Sequence, residues 1–248
     1  MQQRPRRVSM NAMPVVAIHQ PNFFPWLGFF DKLARCDVFI VMDEVQFPKA
    51  GAGGWTNRVP LLINGASKWV TVPVVRSHHG VRTIRETEIS EDEPWRERLL
   101  EQLRHSYGKA PHYAEAMTLL APLIEERTTS LCEYNSKAIV AIAGALGIPA
   151  SRLVPMSTLP HAGGATDLLI ALVQAGGGDT YLCGAGSSGY LEPEKFEAVG
   201  IRLVYQNFKA VEYPQRGVQA FVPGLSIIDA FVSCGITGAA SLLLGQSR

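Results

Sequence analysis

Apolar residues in this chain follow two rhythms, short continuous runs and longer stretches at helical spacing, and their alternation sets the predicted fold. Residues 14–18 and 37–42 are short runs stopped by His19-Gln20-Pro21 and by Asp43-Glu44. Such runs fit strands covered on both faces of a parallel sheet. Between them, residues 26–36 place Leu27, Phe30, Leu33 and Ala34 near a 3.6-residue period, which makes a β-α-β unit with a right-handed crossover. Residues 58–63 and 68–74 flank Asn64-Gly65, a strong hairpin signal, and the spacing predicts extra loop residues after that turn. The hairpin is expected to be an excursion carrying one rim of a site.

The middle of the chain reads as helical, roughly residues 93–147. Asp92-Glu93-Pro94 opens a helix over 93–107 with Leu99, Leu100 and Leu103 on one face. A second over 112–126 is expected to be interrupted at Pro122, and a third over 130–146 stops at Gly147. Short strands are predicted at 153–154, 180–183 and 201–205, helices at 167–174 and 193–199, and a short closing helix at 225–232. The fold class is therefore α/β, with a mainly parallel central sheet, a β-hairpin excursion and a helical middle segment. Residues 1–13 read as a flexible basic leader, and 14–248 as a single α/β domain.

Composition narrows the function classes. The chain has 248 residues, 23 Lys and Arg against 22 Asp and Glu, and a net charge of +1. That balance lacks the basic excess that bulk electrostatic binding of nucleic acid needs, so no nucleic-acid partner is expected. No apolar run approaches the roughly 20 residues of a membrane span; a cytoplasmic protein with reduced cysteines is expected. Cys36, Cys132, Cys183 and Cys234 form no C-x-x-C pair, and the histidines show no i,i+4 pairing, so no metal is predicted. Walker A and G-x-S-x-G patterns are absent.

Candidate chemistry lies at the strand ends. His19-Gln20 follows the first strand and Asp43-Glu44 the second, the edge of an open α/β sheet where ligands bind. His19 is a candidate general base and Asp43 a carboxylate able to orient it. The aromatic turn at 23–30 reads mainly as core. After a glycine-rich stretch at 51–54 come Trp55, Asn57 and Arg58, with Lys49 and Lys68 nearby; Arg58 could fork onto a phosphate or carboxylate. Gly184-Ala185-Gly186-Ser187-Ser188-Gly189 formally matches G-x-G-x-x-G, but the following helix begins late and is short. It reads better as an anion-binding nest than as a dinucleotide fingerprint.

Several of these stretches together carry a resemblance. Ile18-His19-Gln20-Pro21, Phe24-Pro25-Trp26-Leu27-Gly28, Asp43-Glu44-Val45-Gln46-Phe47 and Trp55-x-Asn57-Arg58 come first; Gly184-x-Gly186 with Tyr190-Leu191, Tyr205-Gln206, Tyr213-Pro214-Gln215 and Leu225-Ser226-Ile227-Ile228-Asp229 follow in order. Over about residues 14–235 the chain resembles the WbqC-like family. The resemblance implies a tailoring transferase of bacterial surface-glycan or specialised-metabolite pathways. It places the functional burden on His19, Gln20, Asp43, Gln46, Asn57, Arg58 and the loop from Gly184 through Gly186 and Ser187 to Tyr190, with Trp55 at its rim. Two departures, a lengthened stretch at 50–54 and Val59 after the Asn-Arg pair, put substrate choice in question.

The leading expectation is acyl or aminoacyl transfer to an amine, such as an amino sugar or natural-product intermediate. His19 would take the amine proton, Asp43 would orient it, and Asn57, Arg58 and Ser187 would hold the anionic donor. The expected partners are a small-molecule donor and an amine acceptor, with an acyl-donor thioester or a carrier protein compatible with the scheme. A fainter likeness to pantoate–β-alanine ligase and its nucleotidyltransferase relatives keeps an ATP-dependent ligase open, although Phe29 follows Gly28 where that family's second histidine would stand. A non-catalytic partner protein of a biosynthetic cluster is the third reading.

Overall fold

A computed structural model describes residues 13–48, 54–76, 80–184 and 191–244. Its centre is a five-stranded, wholly parallel sheet formed by β1 (Val15–His19), β2 (Val38–Val41), β5 (Leu153–Pro155), β6 (Thr180–Cys183) and β7 (Arg202–Tyr205), in the order β5-β2-β1-β6-β7. The mixed α/β class and the parallel sheet expected from the sequence are what the chain forms. A separate two-stranded antiparallel sheet pairs β3 (Arg58–Ile63) with β4 (Ala66–Thr71).

Side-chain alternation sends successive strand residues to opposite faces. Ala17, Phe39, Val41 and Leu182 enter one core with α1 (Leu27–Ala34), α2 (Trp95–Tyr107), α3 (Tyr113–Glu125), α4 (Leu131–Ala145) and α7 (Ile227–Leu244). Val16, Ile18, Ile40, Tyr181 and Cys183 enter the other with α5 (Ala165–Ala175) and α6 (Pro193–Ala198). The sheet is thus covered on both sides, as continuous apolar strands require. The first core contains Phe23, Phe24, Phe29, Phe30 and Phe39, all nearly inaccessible, each worth roughly 1.5–3 kcal/mol of transfer free energy.

Three local expectations need correction. The hairpin turn is only Asn64-Gly65, both at positive φ (53° and 75°), and β4 begins at Ala66 with no extra loop residues. A two-residue turn of that hand matches the twist of the strands it joins. Pro122 does not interrupt α3, which runs through it to Glu125; the packing of Ala116, Leu120 and Ile124 outweighs one missing backbone donor near the helix end. The closing helix is longer than expected because the chain turns at Gly235 (φ 73°, ψ 170°) and resumes helix to Leu244. Ser130 caps α4 by accepting from the Glu133 amide, and Gly147 at φ 76° follows its end, both as the sequence indicates.

The strand order creates a switch point. From β1 the chain steps outward through β2 to β5, then returns to the other side of β1 to lay down β6 and β7. Beyond their carboxyl ends, β1 and β6 feed connections that leave in opposite directions, which opens a crevice between them.

Candidate functional site

That crevice holds a cavity of about 630 Å³. Ile18, His19 and Gln20 from the end of β1, Tyr181 and Gly184 from β6, Trp26, Gly28, Phe29 and Lys32 from the turn into α1 and α1 itself, Met42 and Val45 after β2, Leu168 and Leu169 of α5, and Gln206 and Phe208 after β7 line it. Its walls are largely apolar with a few convergent polar groups, the usual make-up of a small-molecule site.

Backbone strain clusters around it. Four described non-glycine residues have positive φ, and one, Asn64, makes the hairpin turn. Of the others, Ala165 (φ 48°) lines the cavity, Asn207 (φ 49°) separates two lining residues, and Phe24 (φ 36°) lies just before lining Trp26. Each such residue costs about 1–3 kcal/mol and persists only where its surroundings hold it. Phe24 is held by the Ser226 hydroxyl donating to its carbonyl (2.8 Å) and by the Ile227 amide donating to the Pro25 carbonyl (2.9 Å).

His19 faces the cavity with its ring against Phe29 in an edge-to-face contact at 5.0 Å. Its Nδ1 lies 3.0 Å from the Gln20 carbonyl. A carbonyl only accepts, so Nδ1 carries the proton and Nε2 is left as an acceptor. Burial, then the positive charge of Lys32, lowers the His19 pKa to about 3, so the imidazole is neutral at physiological pH. Gln20 accepts at Oε1 from the Thr56 hydroxyl (3.3 Å).

Lys32, which sequence reasoning passed over, is the one Asp, Glu, Lys or Arg side chain lining the cavity among the described residues. It is 4% exposed, and Nζ donates to the Ile18 carbonyl at a long 3.4 Å. No ion pair to it occurs among the described residues. Burial lowers its pKa from 10.5 to about 8. Its neighbour Asp31 is engaged elsewhere, by Gln206 Nε2 (2.8 Å) and Arg35 (3.3 Å). Gln206 Nε2 also donates to the Gly28 carbonyl (2.6 Å).

Of the other expected residues that the structure describes, only Gln20 and Gly184 line this cavity, and the rest do not converge on His19. Asp43, expected to orient it, is buried with both carboxylate oxygens occupied by Ser157, from the amide (3.0 Å) and the hydroxyl (2.6 Å). It fastens the β2 exit to the turn after β5 and makes no hydrogen bond with His19. Gln46 bridges through its backbone to Thr83. Asn57 donates to the Val72 carbonyl (2.9 Å) and lines a second cavity of about 430 Å³ together with Trp69, Trp95, Arg76 and Arg98. Arg58, expected to grip an anion, lies 4.6 Å over the Trp69 ring and donates to the Gly54 carbonyl (3.2 Å). Trp55 meets Trp69 edge to face at 5.2 Å. Gly184 lines the first cavity; Gly186, Ser187, Tyr190 and Lys49 lie outside the described residues.

What links the two halves is Asn135 on α4. Fully buried, its amide donates to the carbonyls of Pro21 (2.8 Å) and Thr56 (2.7 Å), while the Phe23 amide donates to the Trp55 carbonyl (3.0 Å). The loops that begin with His19-Gln20 and with Trp55 are therefore fastened side by side by main-chain contacts. Among the described residues no group of three His, Cys, Asp or Glu side chains could hold a metal ion, and no helix is long and apolar enough to cross a membrane.

No solved structure matches the chain significantly. An uncharacterized protein of Mycobacterium tuberculosis, Rv1507c, is 32% identical over 224 residues, covering 90% of this chain and 95% of that protein. The sequence signature of the WbqC-like protein family matches residues 20–240, which contain most of the cavity lining. The chain belongs to the WbqC-like protein family.

Proposed function

We propose that this protein is a small-molecule transferase that forms an amide by moving an acyl or aminoacyl group onto an amine, with the cavity between β1 and β6 as its active site. The observation that carries the reading is His19: a neutral imidazole, its Nε2 left as an acceptor, that lines a mostly apolar cavity at the sheet's switch point. An amine nucleophile donates an N–H to Nε2, and its lone pair attacks the acyl carbon. The new C–N bond forms as the bond to the leaving oxygen or sulfur breaks. With so low a pKa, His19 does not store the proton. It takes it from the attacking nitrogen and hands it to the departing oxygen or sulfur, which leaves with the bonding electron pair. Asp43, Asn57 and Arg58 act by shaping the surrounding loops.

Replacing His19 with Ala should abolish amide formation across a panel of aminoacyl and acyl thioesters with amino-sugar acceptors, read by mass spectrometry, while the thermal unfolding transition is kept. A folded His19→Ala protein with undiminished turnover would sink the assignment. An ATP-dependent ligase is a second reading, favoured by the strand order, which is that of a mononucleotide-binding sheet. Pyrophosphate release on adding ATP and a carboxylic acid would replace the first reading with this one.

A further inference from the structure

We infer that Lys32 forms an anion-recognition site in this cavity, binding a carboxylate or phosphate group of the ligand between the diverging ends of β1 and β6. The position is defined by geometry. Nζ lies 3.4 Å from the Ile18 carbonyl at the end of β1 and 3.6 Å from where a Cβ on Gly184 would stand at the end of β6. An ammonium group has three donors, and among the described residues a single long hydrogen bond uses one, which leaves two for a ligand.

Charge makes the same point independently. A buried ammonium without a carboxylate carries a desolvation cost that proteins normally offset by pairing. The nearest acid on the helix, Asp31, is committed to Arg35 and Gln206, and the groups acting on Lys32 electrostatically from neighbouring elements are His19, Cys36 and Cys183. Among the described residues the cavity lining thus carries one positive charge, Lys32, beside an imidazole acceptor in the neutral His19. Its complement is a ligand with an anionic group and, within a few ångströms, an N–H or O–H donor. A Cβ at position 184, just after β6, would stand in van der Waals contact with the ammonium.

This inference shares the cavity of the proposed reaction but not its chemistry, and the experiment separates them. Full-length protein is melted near pH 7 at fixed ionic strength in sodium chloride, inorganic phosphate, pyrophosphate or acetate. At least one of the three polyatomic anions should raise the wild-type midpoint by about 2 °C or more over chloride. Lys32→Met should lose that increment, and Lys32→Arg should keep a substantial part of it. A phosphate or pyrophosphate response identifies a phosphoryl ligand, an acetate response a carboxylate. An equal increment in Lys32→Met, or none from any anion in wild type, would overturn the inference. Should Lys32→Met fail to fold, acetylation of wild type followed by peptide mass spectrometry decides. The effective anion must slow modification of Lys32 at least ~3-fold relative to exposed Lys68, as occupancy of a site requires, and equal rates with and without the anion count against it. A lysine-dependent anion response with no amide formed from any donor refutes the transferase and leaves the anion site standing; amide formation without any lysine-dependent anion response does the reverse.

Discussion

Replacing Lys32 with Met is expected to make the protein more stable at neutral pH, an unusual outcome for a buried substitution. The lysine is 4% exposed, and burial lowers its pKa from 10.5 to about 8. At about 1.36 kcal/mol for each tenfold change in proton affinity, holding the charged form inside the fold costs roughly 3 kcal/mol. Methionine has similar length and no charge, and it forfeits one long hydrogen bond, worth at most about 1 kcal/mol. The net gain is about 2–3 kcal/mol, or roughly 5–10 °C in the melting midpoint for a chain of this size. The pH dependence has a fixed sign. Below about pH 8 the amine is charged in both folded and unfolded chains, and the full cost is present. Between there and 10.5 the unfolded chain binds the proton that the folded one has released, so wild-type stability rises with pH. The advantage of Lys32→Met should therefore shrink, to about half its neutral value near pH 9 and to less than half by pH 9.5. Chemical denaturation from pH 6.5 to 9.5, in chloride buffers without polyatomic anions, checks both parts. Equal or lower stability of the variant at pH 7, or a gap that does not narrow as pH rises, would refute the account of Lys32 as an uncompensated charge.

Other substitutions test the scaffold around the cavity. Asn135→Ala removes both amide donations that tie Pro21 to Thr56 and leaves two buried carbonyls without partners, so a loss of about 2–4 kcal/mol is expected by urea titration. Gly28→Ala places a Cβ 2.5 Å from the Trp26 ring; the ring must move against the cavity, lowering stability by about 1–3 kcal/mol and weakening ligand binding in a titration against whichever ligand copurifies. Asp229 is fully buried, with Tyr213 (2.8 Å) and Gln215 (3.0 Å) both donating to Oδ2 and Oδ1 without a partner. Asp229→Ala should then cost about 3 kcal/mol, whereas Asp229→Asn, whose oxygen can take the Oδ2 position, should cost far less; comparing their thermal midpoints decides. Burial pushes the Cys36 thiol up to about 12, so iodoacetamide at pH 8 should leave it unmodified in folded protein and label it in urea.

The regular parts of the fold were legible because each obeys one local rule. The runs at 15–19 and 38–41 are apolar on both faces and can only be buried strands, and Ser130 and Gly147 bracket a helix by hydrogen bonding and by φ. Errors arose where a local signal met a tertiary one. Pro122 reads as a break, yet α3 packs through it; the closing helix reads as ending at Val232, yet it runs on through a bend at Gly235 to Leu244. The site followed the same division. His19 and Gln20 were readable from strand-end position alone. Asp43, Asn57 and Arg58 have side chains committed to Ser157, Val72 and Trp69 instead, and partner choice at that range is decided by packing that no short window of sequence contains.

Lys32 was missed for a different reason, and a signal for it was present. A charged residue on a helix is ordinarily assigned to the solvent face, and α1 was read only for its apolar positions. Leu27, Phe29, Phe30 and Leu33 share one side of this eight-residue helix, with Asp31 and Lys32 opposite, yet Asp31 and Lys32 are buried too. The fold covers the polar side as well, so Asp31 and Lys32 have no water to face and each needs a partner. Asp31 finds Arg35, four residues on, and Gln206; no such acid stands three or four residues from Lys32 on either side, where the chain has Gly28, Phe29, Arg35 and Cys36. A buried helix lysine with no acid three or four residues away is therefore a lysine whose counter-charge must come from elsewhere in the fold or from a ligand, and in this fold no ion pair among the described residues supplies it.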